Sequence, residues 1–297
     1  MKREEFSALL SEGLFLLDGA TGSNLLKAGM PRGVSTEAWI LENPEAVIEL
    51  QRAYADAGSQ MVYAPTFGCN RHTLKAYGCQ DRVEEMNARL VEVSRKALSS
   101  QVLVAGDMAP TGMIPEELGG DDDIEDIYDV YRQQAKALYE AGVDLIGCET
   151  MMSLDETRAA VEAIHSVCDL PVVATLTYQK NGMTMYGSEA AHASAELEKL
   201  GVQAVGLNCS MGPDQLEETV RKIAQAVSIP VIAKPNAGLP KALADGSMYY
   251  DMGAEEFAGH MKKLVAAGAS VIGGCCGTTP DYIRKLKLMK DGKLIQA

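Results

Sequence analysis

Short runs of consecutive apolar residues recur along the chain, each bounded by glycine, proline or polar turn residues. Most of these runs are continuous rather than alternating, which is typical of strands covered on both faces, as in a parallel sheet. The eight runs are 14–20, 61–66, 102–108, 144–150, 171–178, 204–209, 230–237 and 270–276. The pattern therefore predicts eight buried strands.

The segments between these runs place apolar residues at helical spacing. In the segment 43–58, Asn43 can cap a helix that begins at Pro44, and Gly58 can end it in the left-handed conformation. A glycine also ends later helical patterns shortly before a strand, at Gly142, Gly201 and Gly268. The chain therefore alternates strands with helices.

A strand-then-helix unit repeated eight times without a long linker predicts a (β/α)8 barrel, here as a single domain over residues 1–297. The alternative is a doubly wound open sheet that binds a dinucleotide. Such a sheet calls for GxGxxG after its first strand, but residues 18–23 are Asp-Gly-Ala-Thr-Gly-Ser. The length and the number of repeats favour the barrel.

Composition narrows the function. Hydrophobic residues make up 47% and charged residues 23% of the chain, which excludes global disorder. The 27 basic and 41 acidic residues give a net charge of −14, which argues against nucleic acid or an anionic membrane as the main partner. No apolar run reaches the ~18 residues of a spanning helix. The N-terminus lacks a signal-peptide pattern, so we expect a cytoplasmic protein.

Three of the seven cysteines fall where predicted strands end. Cys209 ends the sixth strand, and Cys275 and Cys276 end the eighth. Active residues of a (β/α)8 barrel lie at these carboxyl ends, so the three thiols can converge. The glycines on either side of the vicinal pair allow the backbone to turn sharply.

Three convergent thiolates suit Zn²⁺, which binds sulfur at about 2.3 Å and keeps one position open in catalytic sites. Because zinc with three thiolates carries a formal negative charge, it favours binding an incoming thiol as the thiolate. The predicted chemistry is thiol alkylation. Two alternatives stay open: each cysteine is a buried apolar side chain, or Cys275 and Cys276 form a redox-active disulfide.

Two carboxylates also lie at strand ends, Asp18 at the end of the first strand and Glu149 at the end of the fourth. Each is either a solvated charge or helix cap, or a group that captures a substrate ammonium. The four histidines have no strand-end partner, so neither a histidine-based triad nor a histidine-rich metal site is predicted.

Six motifs, running from the first strand to the last, resemble those of homocysteine S-methyltransferases, and most closely the homocysteine-binding barrel of cobalamin-dependent methionine synthase. They are Asp-Gly-Ala-Thr-Gly at 18–22, Thr-Phe-Gly at 66–68, Glu-Thr at 149–150, Gly-Leu-Asn-Cys-Ser-Met-Gly-Pro at 206–213, Pro-Asn-Ala-Gly-Leu-Pro at 235–240 and Gly-Gly-Cys-Cys-Gly-Thr-Thr-Pro at 273–280. Pro65 departs from the family, which often has asparagine there.

The resemblance implies a (β/α)8 barrel with Zn²⁺ on the three cysteines and the homocysteine sulfur as fourth ligand. It further implies roles for five residues: Asp18 and Glu149 hold the amino group, Thr66 and Phe67 belong to the carboxylate-binding segment, and Asn236 lies beside the metal. The implied product is methionine.

The methyl donor is a separate question. Cobalamin-dependent family members append folate, corrinoid and reactivation modules, whereas this sequence ends soon after Cys276 and lacks the Asp-x-His-x-x-Gly corrinoid signature. We therefore expect methylcobalamin, or another corrinoid, on a separate protein. The alternatives are S-methylmethionine or S-adenosylmethionine, then betaine. Two other classes stay open: a non-catalytic subunit that binds a corrinoid protein, and a thiol redox protein.

Overall fold

The computed structural model describes residues 1–209, 211–242 and 248–294. Its strands are β1 (Phe15–Leu16), β2 (Met61–Tyr63), β3 (Leu103–Met108), β4 (Leu145–Met151), β5 (Val172–Leu176), β6 (Ala204–Cys209), β7 (Val231–Pro235), β8 (Pro240–Ala242), β9 (Met248–Tyr250) and β10 (Ala269–Ile272). Ser210, part of the motif at 206–213, lies outside the described residues.

Eight of these strands form one parallel sheet in the order β1-β10-β7-β6-β5-β4-β3-β2, while β8 and β9 pair with each other in antiparallel fashion. Each predicted strand is present, and the sheet curls into a nearly closed barrel surrounded by helices. The predicted (β/α)8 fold is therefore confirmed.

The barrel closes between β1 and β2 through a short seam. The Gln60 backbone N–H donates to the Leu16 carbonyl oxygen at 2.8 Å, and the Gln60 side-chain oxygen accepts from the Leu16 N–H at 3.2 Å. Further along the seam, one carboxylate oxygen of Asp18 accepts from the Tyr63 N–H at 2.9 Å. Asp18 therefore helps to hold the first two strands together.

Helices cover the outer face of the barrel and the ends of its loops. They are α1 (Arg3–Ser11), α2 (Gly22–Lys27), α3 (Thr36–Glu42), α4 (Pro44–Ala57), α5 (Arg71–Lys75), α6 (Val83–Ala97), α7 (Ile124–Glu140), α8 (Leu154–Val167), α9 (Ala190–Lys199), α10 (Glu217–Ala226), α11 (Ala254–Ala266) and α12 (Pro280–Lys290).

Helix α4 begins at Pro44 as predicted, and Gly58 ends it with a left-handed φ of 112°. The predicted side-chain cap at Asn43 is wrong. Because α3 ends one residue before Asn43, this side chain donates to the Trp39 carbonyl oxygen at 3.0 Å and serves the end of α3 instead.

The core has an inner and an outer layer because successive strand residues point to opposite faces. Cys148 packs between the sheet and the helices, whereas its neighbour Glu149 lines the barrel mouth, as their adjacent positions predict. Phe6 and Leu10 of α1 belong to the inner layer. The rings of Phe6 and Phe15 pack edge-to-face, with 6.3 Å between their centres. Helix α1, which the apolar pattern did not predict, thus covers the end of the barrel opposite the mouth.

No helix in the described part of the chain is both long and apolar enough to cross a bilayer.

Candidate metal and substrate site

The three predicted thiols meet at the barrel mouth. The sulfur atoms of Cys209, Cys275 and Cys276 all lie within 4.8 Å of one another. Backbone bonds hold the vicinal pair against the end of β7, since the Cys275 N–H donates to the Pro235 carbonyl at 2.8 Å and the Cys276 carbonyl accepts from the Ala237 N–H at 2.9 Å. No disulfide joins any of the seven cysteines, all of which lie within the described residues.

The backbone beside this cluster is strained. Cys209 and Thr150 both have φ of 62°, and they are the two non-glycine residues in the described ranges with positive φ. For a β-branched residue such as Thr150 this conformation is a genuine outlier, and such strain persists only where neighbours enforce it.

Asn208 holds Thr150 in its strained conformation. Its side-chain oxygen accepts from the Thr150 N–H at 2.9 Å, and its amide nitrogen donates to the Thr150 hydroxyl at 2.7 Å. The same nitrogen lies 3.8 Å from the sulfur of Cys275. One buried amide therefore fixes the end of β4 and orients a thiol, a role that its place beside Cys209 did not reveal.

Contacts among the three thiols, together with their burial, change how readily the thiols ionise. The hydrogen bond with Cys209, together with burial, raises the pKa of the Cys275 thiol well above its usual value. For Cys276 the bond with Cys209 lowers the pKa, but the bond with Cys275 and burial raise it to about 12. Three converging soft sulfur donors, two of which resist ionisation without a counter-charge, fit a thiophilic metal ion.

Tyr250, on β9, covers one side of the thiol cluster. Its hydroxyl lies next to the Cys276 thiol, and burial together with that thiol raises the pKa of Tyr250. Its ring lies against Gly277, where an added Cβ would come within 2.4 Å of the ring and where φ is 83°. Gly277 therefore permits both the turn after the vicinal pair and the approach of the tyrosine ring.

An acidic cluster faces the thiols, and it contains a lysine that the sequence analysis did not single out. Lys234 Nζ lies 2.6 Å from Glu149 Oε1, 3.2 Å from Asp18 Oδ1 and 4.1 Å from the centre of the Tyr63 ring. Burial by itself would lower the pKa of Lys234, but the charges of Asp18 and Glu149 raise it well above its usual value. The sequence held one sign of this residue's importance, because Lys234 is a charged residue inside the apolar run 230–237.

Asp107, at the end of β3, is the second residue that sequence analysis missed. It is 5% exposed, and its Oδ1 atom has no hydrogen-bond partner among the described residues. Burial, and then the charge of Glu149, raise the pKa of Asp107 well above its usual value. Like Lys234, Asp107 sits inside an otherwise apolar run.

The remaining predicted site residues, Thr66, Phe67 and Asn236, differ in their burial and in their hydrogen bonds. Thr66 is fully buried, and its hydroxyl both donates to the Asp107 carbonyl and accepts from the Asp107 N–H, each at 2.9 Å. Phe67 is 40% exposed and lines the mouth. Asn236 is buried, and its side-chain oxygen has no partner among the described residues.

One cavity of about 270 Å³ joins the thiols to the acidic cluster. Its lining includes Asp18, Phe67, Asp107, Glu149, Lys234 and the three cysteines. The volume is just below the ~300–1,000 Å³ of sites for drug-sized ligands, so it suits a small molecule with a polar end.

Comparisons with known proteins show the family to which the chain belongs. A sequence model described as homocysteine S-methyltransferase matches residues 15–289. Methionine synthase from Mycobacterium leprae (strain TN) is 32% identical over 297 residues, which cover 93% of this chain and 24% of the relative. Methionine synthase from Mycobacterium tuberculosis is 33% identical over 298 residues, which cover 94% of this chain and 25% of the relative. The chain thus spans about a quarter of the length of these relatives.

Solved structures match over nearly the full length. The metallated form of the homocysteine methyltransferase MmuM from Escherichia coli has a TM-score of 0.79 and 25% identity, with 95% of this chain and 98% of that chain covered. The carboxyl transferase domain of Rhizobium etli pyruvate carboxylase, at 13% identity and a TM-score of 0.53, shares the fold alone.

Proposed function

The chain belongs to the homocysteine S-methyltransferase family, and on that premise we propose that it transfers a methyl group to the thiol of homocysteine and so makes methionine. The observation that carries the proposal is the meeting of three sulfur atoms within 4.8 Å at the mouth of the barrel. A thiol acceptor needs to be held as its thiolate, and this cluster provides the means.

We assign Cys209, Cys275 and Cys276 as the ligands of a Zn²⁺ ion. When bound, zinc would lower the pKa of a coordinated thiol and so supply the nucleophile. The chain's own contribution is orientation, since Asn208 donates a hydrogen bond to the sulfur of Cys275 and the ring of Tyr250 packs against Gly277 beside Cys276. Such outer contacts tune metal sites strongly.

The polar end of homocysteine would lie in the rest of the cavity. The acidic cluster of Asp18 and Glu149 favours the ammonium group, and the segment of Thr66 and Phe67 borders the place for the carboxylate. The buried side-chain oxygen of Asn236 supports its assignment beside the metal, because such an atom calls for a partner and none of the described residues provides one.

For the methyl donor we favour a corrinoid carried by a separate protein. The cavity of about 270 Å³ is too small for a corrin ring together with homocysteine, so such a donor would approach from outside. A second, open cleft of about 760 Å³ reaches Cys276 from the side of the β8–β9 pair. Exposed apolar side chains line it, among them Leu26, Val34, Met248 and Tyr249. This surface supports a bulky donor.

S-methylmethionine or S-adenosylmethionine is the second candidate donor, ahead of betaine. It is favoured by the match to a homocysteine methyltransferase of which this chain covers 98%, compared with 24% for a methionine synthase. Both donors serve the same acceptor and the same thiol site.

A donor panel tests the proposal. Zinc-loaded protein is incubated with homocysteine and, in separate reactions, methylcobalamin, a methylated corrinoid protein, S-methylmethionine, S-adenosylmethionine and betaine, and methionine is measured. We expect methionine from the corrinoid donors. Methionine from the sulfonium compounds alone would identify the second candidate. Zinc binding with no methionine from any donor would overturn the enzymatic proposal and favour a corrinoid-binding subunit.

A further inference from the structure

We infer that Thr278 is a positioning residue, whose hydroxyl sets the loop that carries two of the metal-binding thiols against the loop that begins with Asp18. The β1 loop comprises residues 18–23, and the β10 loop comprises residues 273–279. The inference rests on the proposed function and deepens it, because homocysteine would have to contact both loops at once. Thr278 would then control how well the two parts of the site fit one acceptor molecule.

The two loops lie side by side because the strands that precede them, β1 and β10, pair in parallel. Two hydrogen bonds join the ends of the loops. The Gly274 N–H donates to the Asp18 carbonyl oxygen at 3.0 Å, and the Gly277 N–H donates to the Ser23 hydroxyl at 3.2 Å. The middle of each loop lies between these two bonds and is joined by other side chains.

The Thr278 hydroxyl connects the middle of both loops. It accepts the Ala20 N–H at 3.1 Å and donates to the Cys275 carbonyl oxygen at 2.7 Å. Thr278 is fully buried, so the loss of its hydroxyl would take a buried partner from each loop. A single side chain thus fixes the backbone of a proposed zinc ligand relative to the segment that follows Asp18.

Both loops have a glycine where this hydroxyl lies. An added Cβ would come within 2.5 Å of the Thr278 hydroxyl oxygen at Gly274 and within 2.8 Å of it at Gly19. Cβ atoms essentially never approach another heavy atom so closely. The close approach of the threonine therefore depends on the sequence of both loops, as expected for a specific connection between them.

Two further side chains strengthen the connection. The Asn24 amide nitrogen donates to the Ala20 carbonyl oxygen at 2.7 Å and to the Thr278 carbonyl oxygen at 2.9 Å. The buried Tyr54 hydroxyl donates to the Ala20 carbonyl oxygen at 2.8 Å. Ala20 and Thr278 are thus linked directly and also through Asn24. Because the link joins the two loops, its loss should weaken a ligand that contacts both loops more than a ligand that contacts one.

The test compares two thiols that differ in how much of the site they reach. Homocysteine would contact both loops, whereas β-mercaptoethanol has a thiol for the metal but no amino or carboxylate group. Binding of each thiol to zinc-loaded protein is measured by titration calorimetry without a methyl donor, and zinc affinity is measured by competition with a chelator. Because both thiols are compared on one preparation, a partly unfolded variant still reports the ratio of their affinities.

Thr278→Val keeps the branched shape of the side chain and removes its hydroxyl. We expect zinc affinity to fall about tenfold, and the preference for homocysteine over β-mercaptoethanol to fall by at least about tenfold. Thr278→Ser keeps the hydroxyl and should restore most of both. Thr279→Val makes the same change one position along and should alter neither quantity, because the Thr279 side chain makes no capping hydrogen bond with α12.

A homocysteine preference that is unchanged in Thr278→Val would overturn the inference, whatever the melting temperature of that variant. Equal losses in Thr278→Val and Thr278→Ser would also overturn it, since packing of the methyl group rather than the hydroxyl would then be responsible. Failure of the proposed function has a different signature. In that case the wild type shows no preference for homocysteine and no donor yields methionine, while the zinc affinities of the two Thr278 variants still decide whether the hydroxyl positions the β10 loop.

Discussion

The cavity has a thiol side and an acidic side, and the two differ in where the balancing positive charge comes from. On one side three thiols converge, and their hydrogen bonds together with burial leave the pKa of Cys275 and of Cys276 raised, which supports our proposal that a cation from outside completes this side. On the other side Asp18 and Glu149 already share a cation of the chain itself, Lys234. We therefore propose that the thiol side takes its cation from outside as a metal ion, whereas the acidic side carries its own cation in Lys234.

Removing a thiol should have the largest effect. In Cys275→Ala the metal loses one of three ligands, so we expect zinc content near zero and no methionine formation, by metal analysis and the donor assay. Cys79→Ser, at a partly exposed thiol away from the cluster, should keep both. Full zinc content and activity in Cys275→Ala would break the assignment of the thiol side.

Removing the lysine should unbalance the acidic side. Lys234→Met leaves two buried carboxylates without their cation, and we expect a loss of about 3–5 kcal/mol in the free energy of unfolding, measured with urea. The matched control is Lys241→Met, because Lys241 pairs with Asp251 while 59% exposed and should cost about 1 kcal/mol or less. Equal losses in the two variants would contradict the picture of a buried, self-compensated wall.

Asn208 links the two sides, because it bonds Thr150 next to Glu149 and contacts Cys275, and its removal should affect zinc affinity less than the loss of a thiol does. Asn208→Ala removes the bonds to Thr150 and the contact with Cys275, so we expect zinc affinity to fall about 10- to 100-fold in competition with a chelator. Asn181→Ala, on an exposed loop after β5, should leave the affinity unchanged. An unchanged affinity in Asn208→Ala would show that the thiols hold their geometry unaided.

The contrast between the two sides also explains what the sequence could predict. The eight strands followed from apolar runs, and the thiol cluster followed from cysteines at strand ends, because parallel strands bring their carboxyl ends to one mouth. Both inferences use local sequence patterns, which can be recognised without knowing which side chains contact each other.

The acidic wall depends on long-range pairing instead. Lys234 lies 216 positions from Asp18 and 85 from Glu149 in the chain, and nothing in its own strand shows that it faces them. The β8–β9 pair was missed for another reason: each of its strands has three residues, which is too short to stand out as an apolar run, and Tyr250 went unnoticed with it.

The central claim is that three sulfur atoms of this chain share one metal ion and leave a position for a thiol. X-ray absorption spectroscopy at the zinc edge of the loaded protein tests it directly. We expect three sulfur scatterers at about 2.3 Å in the protein alone and a fourth after homocysteine is added. Fewer than three sulfur neighbours, or a coordination shell that homocysteine does not change, would contradict it.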